Sequence, residues 1–294
     1  MTTNNDPKVA VLLAAYNGMQ WIEAQVNSIL IQQGVNVTLF VSVDLSTDGT
    51  DQWGRELANK YSNVVMLPYG DRFGGAGPNF FRLVRDVDFS EFDVVSFADQ
   101  DDIWFADKLQ RACALLQAGH CDVYSSNVTA FWPSGIRILI DKAQSQKQFD
   151  HFFEAAGPGC TYVFNQDSAL AFKRFLLKHD HRIEAVSLHD WLAYAFCRNH
   201  GCKWFIDPQP SMLYRQHDGN QVGTNVGFKA FRNRIDMISK HWYRNQVNLI
   251  LDMVAPEKAD DFNKYLFRIL NFYALRRRPR DAFFLLAMFT LGVY

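Results

Sequence analysis

Residues 96–104 read SFADQDDIW, and they directly follow the segment 91–95, EFDVV. An apolar run of this length bounded by polar residues is typical of a short, fully buried strand. Because side chains alternate between the two faces of a strand, we expect Asp99 and Asp101 to point the same way just past its carboxyl end. Oxygen ligands at this spacing suit a hard divalent cation, Mg²⁺ or Mn²⁺, which in turn favours a diphosphate. On this stretch alone, an acidic solvated turn remains the alternative.

The segments before this stretch alternate between strand and helix patterns. Residues 9–14, VAVLLA, predict a buried strand that stops at the turn 15–18, AYNG. A helical pattern follows, and residues 37–43 then alternate as a second strand that leads into the polar turn 44–50, DLSTDGT. This alternation continues to about residue 118 and predicts βαβ units, that is, a parallel sheet with helices on both faces.

Three polar loops would lie at one edge of such a sheet. They comprise residues 16–18, 44–48 and 99–102, and each follows a predicted strand. Ligands of open parallel sheets bind beyond the carboxyl ends of the strands. The convergence of three acidic or amide-rich loops at that edge therefore favours a nucleotide site.

The composition excludes several classes of protein. The chain has 294 residues, a net charge of −1 and 21% charged residues, which argues against broad nucleic-acid binding. No apolar run reaches the roughly 18 residues of a membrane span, and the first residues lack the apolar core of a signal peptide. The five cysteines are scattered and predict a reducing, cytoplasmic setting: Cys113, Cys121, Cys160, Cys197 and Cys202.

Three motifs in order make the sequence resemble a known family. AAYNG at 14–18, VDLSTDGT at 43–50 and ADQDDIW at 98–104 together resemble the GT-A glycosyltransferases of family 2, most closely the bacterial rhamnosyltransferase type, whose donors are dTDP- or UDP-sugars. The resemblance runs from about residue 9 to residue 223. It implies a Rossmann-like α/β fold with a mostly parallel sheet and helices on both faces, followed by a helical C-terminal extension.

The resemblance also implies a division of the chain. Residues 1–225 would form the GT-A catalytic domain, with a nucleotide-sugar-binding half at 1–120 and an acceptor-binding half at 121–225. Residues 226–294 would form a helical region that contacts a membrane surface or a second subunit.

On the donor side, the resemblance assigns nucleoside contacts to four residues. Tyr16 would pack on the nucleobase with the backbone of Ala15 beside it. Asp44 would accept a hydrogen bond from the base or ribose, and Asp99 would hold the ribose. Each role suits the chemistry of a carboxylate, which accepts from N–H and O–H donors.

The resemblance further assigns the metal and the diphosphate. Asp101 and His217 would hold Mn²⁺ or Mg²⁺, which neutralises the departing nucleoside diphosphate. Arg215 would add a fixed cation beside it, and a surface histidine is the alternative for His217. Asp102 is expected instead to cap the helix that follows near residues 104–108.

The second half of the sequence would bind the acceptor. Gly159, Cys160 and Thr161 lie in a tight turn, either a plain loop or, by resemblance, part of the acceptor pocket. Further on, the sequence His189-Asp190-Trp191 stands at the start of a predicted helix. An Asp there is commonly a helix cap. By resemblance Asp190 would instead be the general base that deprotonates the acceptor hydroxyl, with His189 and Trp191 beside the acceptor, and one such displacement inverts the anomeric stereochemistry.

The C-terminal region combines basic and apolar residues. Residues 276–280 read RRRPR and directly precede the apolar run 282–289, AFFLLAMF. Basic residues beside an apolar helix suit an anionic membrane surface. The alternative is a helix that packs on the catalytic domain or on a second subunit.

Together these features predict an inverting, metal-dependent glycosyltransferase. The resemblance implies transfer of L-rhamnose from dTDP-L-rhamnose to a surface polysaccharide or a lipid-linked glycan, at the inner face of the cytoplasmic membrane. A nucleotidyltransferase is a weaker alternative, because the loop 15–18 lacks the basic, glycine-rich character that holds a triphosphate. A non-catalytic sugar-nucleotide-binding scaffold is the third possibility, and the oligomeric state stays open.

Overall fold

A computed structural model describes residues 6–217 and 241–294. The described residues form eleven strands: β1 (Lys8–Ala15), β2 (Asn36–Val43), β3 (Val64–Met66), β4 (Val94–Asp99), β5 (Ile103–Trp104), β6 (Val123–Ser126), β7 (Val128–Phe131), β8 (Arg137–Ile140), β9 (Val163–Asn165), β10 (Trp204–Asp207) and β11 (Met212–Arg215). The domain boundary expected at residue 225 and the end of the family resemblance at residue 223 both lie outside the described residues.

Helices connect most of these strands. Within the described ranges they are α1 (Ile22–Leu30), α2 (Thr50–Lys60), α3 (Ala76–Asp86), α4 (Lys108–Gln117), α5 (Gln166–Lys178), α6 (Asp180–Ile183), α7 (His189–Asn199), α8 (Trp242–Val254), α9 (Pro256–Asn263), α10 (Tyr265–Asn271) and α11 (Pro279–Thr290). Short 3₁₀ turns occur at Asp150–Phe152, Gly159–Thr161 and Phe272–Ala274.

The central sheet has seven strands in the order β10-β6-β9-β4-β1-β2-β3. All neighbours are parallel except β9, which runs antiparallel to both β4 and β6. The chain leaves β1 for β2 on one side and returns to β4 on the other, so the strand order reverses at β1. Ligands bind at such a reversal in open α/β sheets, and this one places the ends of β1, β2 and β4 side by side.

A hydrophobic core lies on each face of the central sheet, and β1 contributes apolar side chains to both. Val9, Val11 and Leu13 point to one face, into a core shared with α1 and α4. Ala10 and Leu12 point to the other face, into a core shared with α3, α5, α7 and the C-terminal helices. Burial on both faces explains why β1 is almost continuously hydrophobic instead of alternating.

A second, smaller sheet has the order β5-β11-β7-β8. Its two-residue strand β5 lies directly after the acidic segment and pairs antiparallel with β11, Met212 opposite Trp104. This pairing brings residues 215–217 onto the acidic segment, from more than 100 positions away in the sequence. A strand of two residues has no periodicity to detect, so no sequence pattern predicts this contact.

The basic cluster 276–280 before α11 was expected to face a membrane surface, but part of it lies inside the protein. Arg277 is 3% exposed, and its guanidinium pairs with Asp150 at 3.3 Å and Glu154 at 3.5 Å. Arg276 donates to the carbonyl of Phe153 at 2.7 Å. The expectation of a basic surface facing a membrane is therefore wrong for Arg277, because its charge is neutralised inside the protein.

One face of α11 packs on the catalytic core, and the other is exposed. Leu285, Met288 and Phe289 are buried in the core that α7 shares, which confirms the packing alternative for this face. Phe284 on the opposite face is 62% exposed, and Leu270 on α10 is 72% exposed. None of the helices in the described ranges combines the length and apolar character needed to cross a membrane.

Candidate active site

Asp99, the last residue of β4, lies close to Asp102 and Cys160, and the charge of Asp101 acts on both carboxyl groups. Carboxylate oxygens of Asp99 and Asp102 lie within 4.8 Å of each other and of the sulfur of Cys160. Burial, and then the charge of Asp101, raise the pKa of Asp99 to about 7. The same causes raise the pKa of Asp102 well above its ordinary value. The solvated-turn alternative is therefore excluded for Asp102, which is fully buried.

Asp102 does not cap the following helix, contrary to expectation. Helix α4 begins at Lys108, and the residue before it is Asp107. Oδ1 of Asp102 instead accepts a hydrogen bond from the backbone N–H of Arg215 at 3.1 Å. The two-residue strand β5 separates Asp102 from α4, so its carboxylate is turned towards β11.

The residues of this cluster fit a divalent cation. Oδ2 of Asp102 is buried and accepts no hydrogen bond among the described residues, although such an orphaned oxygen is costly. Asp99 and the buried Asp102 have raised pKa values partly because of the negative charge of Asp101, and a hard cation bound by Asp101 would offset that charge. The softer sulfur of Cys160 suits Mn²⁺ or Mg²⁺ less well than carboxylate oxygens do, so the donor set would be one of oxygens.

His217 lies against the outer side of the acidic cluster. Its Nε2 is 2.7 Å from Oδ2 of Asp101, and its ring stacks on Trp21 with the centroids 4.0 Å apart. The two residues predicted to hold the metal are thus adjacent. Trp21 was not predicted, but its ring fixes the plane of the imidazole.

Arg215 contacts the same segment from β11. Its Nε donates to the backbone carbonyl of Asp101 at 2.7 Å, and its guanidinium lies 4.6 Å from the centroid of the Phe131 ring. The side chain of Arg215 is thereby anchored beside Asp101, the predicted metal ligand.

A buried lysine lies beneath the cluster. Lys108 is fully buried, and its Nζ donates to the backbone carbonyl of Cys160 at 2.7 Å while lying 3.1 Å from the centroid of the Trp104 ring. Burial lowers the pKa of Lys108 to about 7, although the charges of Asp102 and Asp99 oppose this shift. Sequence reasoning missed this residue, since a lysine in the first turn of an amphipathic helix is ordinarily exposed.

The end of β1 presents Tyr16 to solvent. Its side chain is 53% exposed, while Ala15 beside it is 2% exposed. Gln100 holds the backbone of Tyr16 from both sides, accepting from its N–H at 2.8 Å and donating to its carbonyl at 2.9 Å. Gln100 was not predicted, and the signal for it was its place between Asp99 and Asp101.

Asp44, which directly follows β2, holds the glycine-rich loop 70–75. Its carboxylate accepts from the backbone N–H groups of Phe73 at 2.8 Å and Gly74 at 2.9 Å, as well as from Leu45 at 2.7 Å. Gly74 has a positive φ of 83°, a conformation that glycine adopts readily. Asp44 thus fixes a loop at the edge of the site, and its contact with a nucleoside stays a prediction.

Asp190 lies in the first turn of α7, next to the turn 157–161. Its Oδ1 accepts from the backbone N–H of Trp191 at 2.8 Å. Burial raises the pKa of Asp190 to about 6, and the N–H of Trp191 and the charge of Lys142 partly offset the effect. A carboxyl group with this pKa is ionised at neutral pH and is a better proton acceptor than an exposed aspartate.

The remaining predicted acceptor residues form the floor of the site. Cys160 and Thr161 are fully buried, and Trp191 is 3% exposed and donates to the carbonyl of His151. The ring of His189 stacks on Phe80 with centroids 4.0 Å apart. Their side chains are packed inside the protein. Contact of these residues with an acceptor stays a prediction.

Gly159 allows this floor to form. A methyl group added there would lie 2.4 Å from Nε2 of His189 and 3.1 Å from Cβ of Asp190. Only a residue without a side chain lets the backbone approach these two residues so closely.

Comparisons with known proteins support the glycosyltransferase prediction. The model of glycosyl transferase family 2 matches residues 10–179. The chain is 43% identical over 289 residues to the dTDP-rhamnosyl transferase RfbG of Shigella flexneri, covering 96% of this chain and 100% of that protein.

Solved structures support the fold. S. aureus TarS 1–349 superposes with a TM-score of 0.58 at 17% identity, covering 97% of this chain and 92% of that one. The mannosyltransferase PcManGT from Pyrobaculum calidifontis, in complex with GDP-Man and Mn²⁺, gives a TM-score of 0.53 at 15% identity, covering 98% and 81%. At these identities the likeness concerns the fold alone, and it confirms the predicted α/β architecture with its mostly parallel sheet.

Proposed function

The chain belongs to glycosyl transferase family 2, and on that premise we propose that it transfers L-rhamnose from dTDP-L-rhamnose, with inversion, to a glycan acceptor. The observation that carries the proposal is the contact of His217 with Asp101 beside Asp99 and the buried Asp102, with a separate carboxylate, Asp190, across the turn 157–161. The choice of donor rests on the similarity to the Shigella flexneri dTDP-rhamnosyl transferase.

Asp101 and His217 would hold a divalent cation, Mn²⁺ or Mg²⁺, and the structural neighbour PcManGT, solved with GDP-Man and Mn²⁺, supports this class of ion. When bound, the cation neutralises the negative charge that develops on the departing diphosphate. Arg215, anchored on the backbone of Asp101, adds a permanent positive charge on the same side.

The nucleoside would bind at the ends of β1, β2 and β4. The exposed ring of Tyr16 offers a stacking surface for the base, and the backbone of Ala15 lies beside it. Asp99 would accept from the ribose hydroxyls. Asp44 would act on the base or ribose from a position that its contacts with the glycine-rich loop hold rigid.

Asp190 would act as the general base. It takes the proton of the acceptor hydroxyl as that oxygen attacks the anomeric carbon, and the bond from that carbon to the diphosphate oxygen breaks. The products are the glycosylated acceptor, the nucleoside diphosphate and a protonated Asp190, which returns its proton to solvent. A single displacement of this kind inverts the configuration at the anomeric carbon.

The acceptor would be a surface polysaccharide under assembly or a lipid-linked glycan. The exposed side chains of Phe284 on α11 and Leu270 on α10 support peripheral contact with the inner face of the cytoplasmic membrane.

Calorimetric titration tests the donor. dTDP-L-rhamnose and UDP-sugars are titrated into the purified protein with and without Mn²⁺. Binding of dTDP-L-rhamnose that depends on Mn²⁺ supports the proposal, whereas preference for a UDP-sugar refutes the choice of donor. Release of dTDP in the presence of acceptor membranes distinguishes an enzyme from a non-catalytic scaffold, which would bind the donor without turnover.

A further inference from the structure

Lys142 lies at the edge of the sheet where the active site is. Its backbone N–H donates to Oδ1 of Asn127 at 2.6 Å, which fixes it just beyond the end of β6. Its aliphatic stem runs along the turn 157–161: a methyl group added at Gly157 would lie 3.5 Å from its Cγ and 3.8 Å from the carbonyl oxygen of Ser126. The lysine is therefore positioned by the scaffold and is not a freely moving surface side chain.

The ammonium group of Lys142 forms no close ion pair in the described part of the chain. No carboxylate oxygen of the described residues pairs with it within 4.0 Å, and Asp150 and Glu154 are both paired with Arg277. The charges of Glu154 and Asp190 act on it only from a greater distance. A partly buried cation without a direct anionic partner is unfavourable.

The charges that act on Lys142 are mostly positive. Burial first, and then the charge of Arg277, lower the pKa of Lys142; the charge of Glu154 opposes this shift, and Arg278 and Arg276 lower the pKa further. An ammonium group on which several guanidinium charges act is a position where an external anion would be stabilised.

Lys142 and Asp190 flank the same short turn. Lys142 contacts its first glycine, Gly157, and Cβ of Asp190 would lie 3.1 Å from a methyl group on Gly159. The charge of Lys142 is close enough to lower the pKa of Asp190 against the effect of burial. An anion on Lys142 would thus lie beside the residue that we assign to the acceptor hydroxyl, and not beside Asp101.

Arg278 links this position to the exposed apolar face of α11. It donates to the backbone carbonyl of Asp141, the residue before Lys142. It also directly precedes α11, whose outer face exposes Phe283 and Phe284. Arg278 therefore lies between the cationic position at Lys142 and the apolar outer face of α11. A lipid with a charged headgroup needs both a cationic site and an apolar surface.

We propose that Lys142 and Arg278 bind the phosphate or diphosphate group that joins the acceptor glycan to a lipid. Lysine supplies a compact positive charge, and arginine supplies a planar pair of N–H donors. Together they suit the oxygens of a phosphate or diphosphate group. This inference rests on the proposed function, because it assigns the acceptor class of the same site. It also places the lipid chain along α11 and the sugar at Asp190.

Inorganic pyrophosphate is the probe for the anion site. It is titrated by calorimetry in EDTA, so that no divalent cation draws it to Asp101, into the wild type and the variants Lys142→Met, Arg278→Met and Arg280→Met. We expect Lys142→Met and Arg278→Met to weaken binding by about tenfold, because each removes one charged partner of the ligand. Arg280→Met is the matched control, since Arg280 is 82% exposed and pairs with Asp281. Equal affinity in the wild type and Lys142→Met, or no binding by the wild type, overturns the proposal.

Farnesyl diphosphate separates a lipid-borne diphosphate from a free one. If the apolar face of α11 binds the lipid chain, farnesyl diphosphate binds more tightly than pyrophosphate. Phe284→Ser then removes this additional affinity and leaves pyrophosphate binding unchanged. Equal affinity for the two probes overturns the lipid assignment. Titration of dTDP with Mn²⁺ is run in parallel: intact dTDP binding by Lys142→Met, with loss of pyrophosphate binding, separates this site from the donor site. If the wild type itself does not bind dTDP in the presence of Mn²⁺, that result counts against the proposed function alone.

Discussion

Nε2 of His217 lies 2.7 Å from Oδ2 of Asp101, across 116 positions of sequence. The antiparallel pairing of β5 with β11 creates this contact, and the ring of Trp21 holds the imidazole in its plane. Two ligand atoms at this distance can bind one cation once the hydrogen bond between them is given up. The relationship joins the acidic segment to the second half of the chain and carries most of the proposed chemistry.

Removing either ligand should weaken metal-dependent donor binding. We expect His217→Ala and Asp101→Asn each to weaken Mn²⁺-dependent binding of dTDP-L-rhamnose by at least about tenfold, since even the loss of outer-shell partners costs ~10–100-fold in metal affinity. Calorimetric titration measures the change. Asp252→Asn, an exposed carboxylate remote from this segment, is the control. Wild-type affinity in both variants would rule out this ligand pair.

Replacing the general base should separate catalysis from binding. We expect Asp190→Asn to lower kcat by about 10²–10⁴-fold, the usual contribution of a positioned acid–base group. Donor binding should stay near that of the wild type, because Asp190 lies on the acceptor side of the turn 157–161. Initial rates of dTDP release with acceptor, beside calorimetry, give both quantities. Transfer at more than about a few per cent of the wild-type rate would assign the proton to another group.

The pH dependence of the reaction should reflect the raised pKa of Asp190. The base works only when ionised, and burial raises its pKa to about 6. As the pH falls through about 6, the ionised fraction falls, and kcat at saturating donor should decrease by about tenfold for each further unit of pH. The rate should be level between about pH 7 and 8. A profile that stays flat down to pH 5 would contradict the assignment, and the residual rate of Asp190→Asn should lack the acid limb.

The absence of a side chain at residue 159 should matter for activity. In Gly159→Ala the added methyl group would lie 2.4 Å from Nε2 of His189, so the ring and Asp190 must shift. We expect destabilisation of about 1–3 kcal/mol, as for other overpacked sites, and a fall in kcat of about tenfold or more. Thermal unfolding and initial rates measure the two effects.

Gly157→Ala is the matched control for thermal stability. A methyl group there would make only ordinary contacts of 3.5 Å or more, and its backbone does not require glycine. We expect its melting temperature to stay close to that of the wild type. Equal melting temperatures and rates for Gly159→Ala and the wild type would show that the floor of the site adapts without loss.

Much of the donor side could be predicted because it depends on local patterns. Apolar runs bounded by polar residues predicted β1 and β4, alternation predicted β2, and parallel order placed their ends at one edge. Asp99 and Asp101 were predicted from their place at the carboxyl end of β4, of which Asp99 is the last residue. The spacing between them is a property of the chain itself.

The errors arose where distant segments meet. Asp102 was predicted to cap a helix, but β11 turned it inward, since Arg215 lies 113 positions away in sequence. Arg277 was read as surface charge because its partners Asp150 and Glu154 are more than 120 positions before it. Lys108 and Gln100 were missed for the same reason: their contacts are with residues 160 and 16.

The sequence by itself determined the parallel sheet, the acidic segment after β4 and the motifs of family 2, because hydrophobic periodicity and short-range spacing are local properties of the chain. Only the tertiary structure decided which charges are buried together. Asp99, Asp102 and Lys108 have shifted pKa values because packing removes them from water, and Asp190 gains its raised pKa in the same way. Burial depends on the sum of long-range contacts, and no single stretch of sequence contains it.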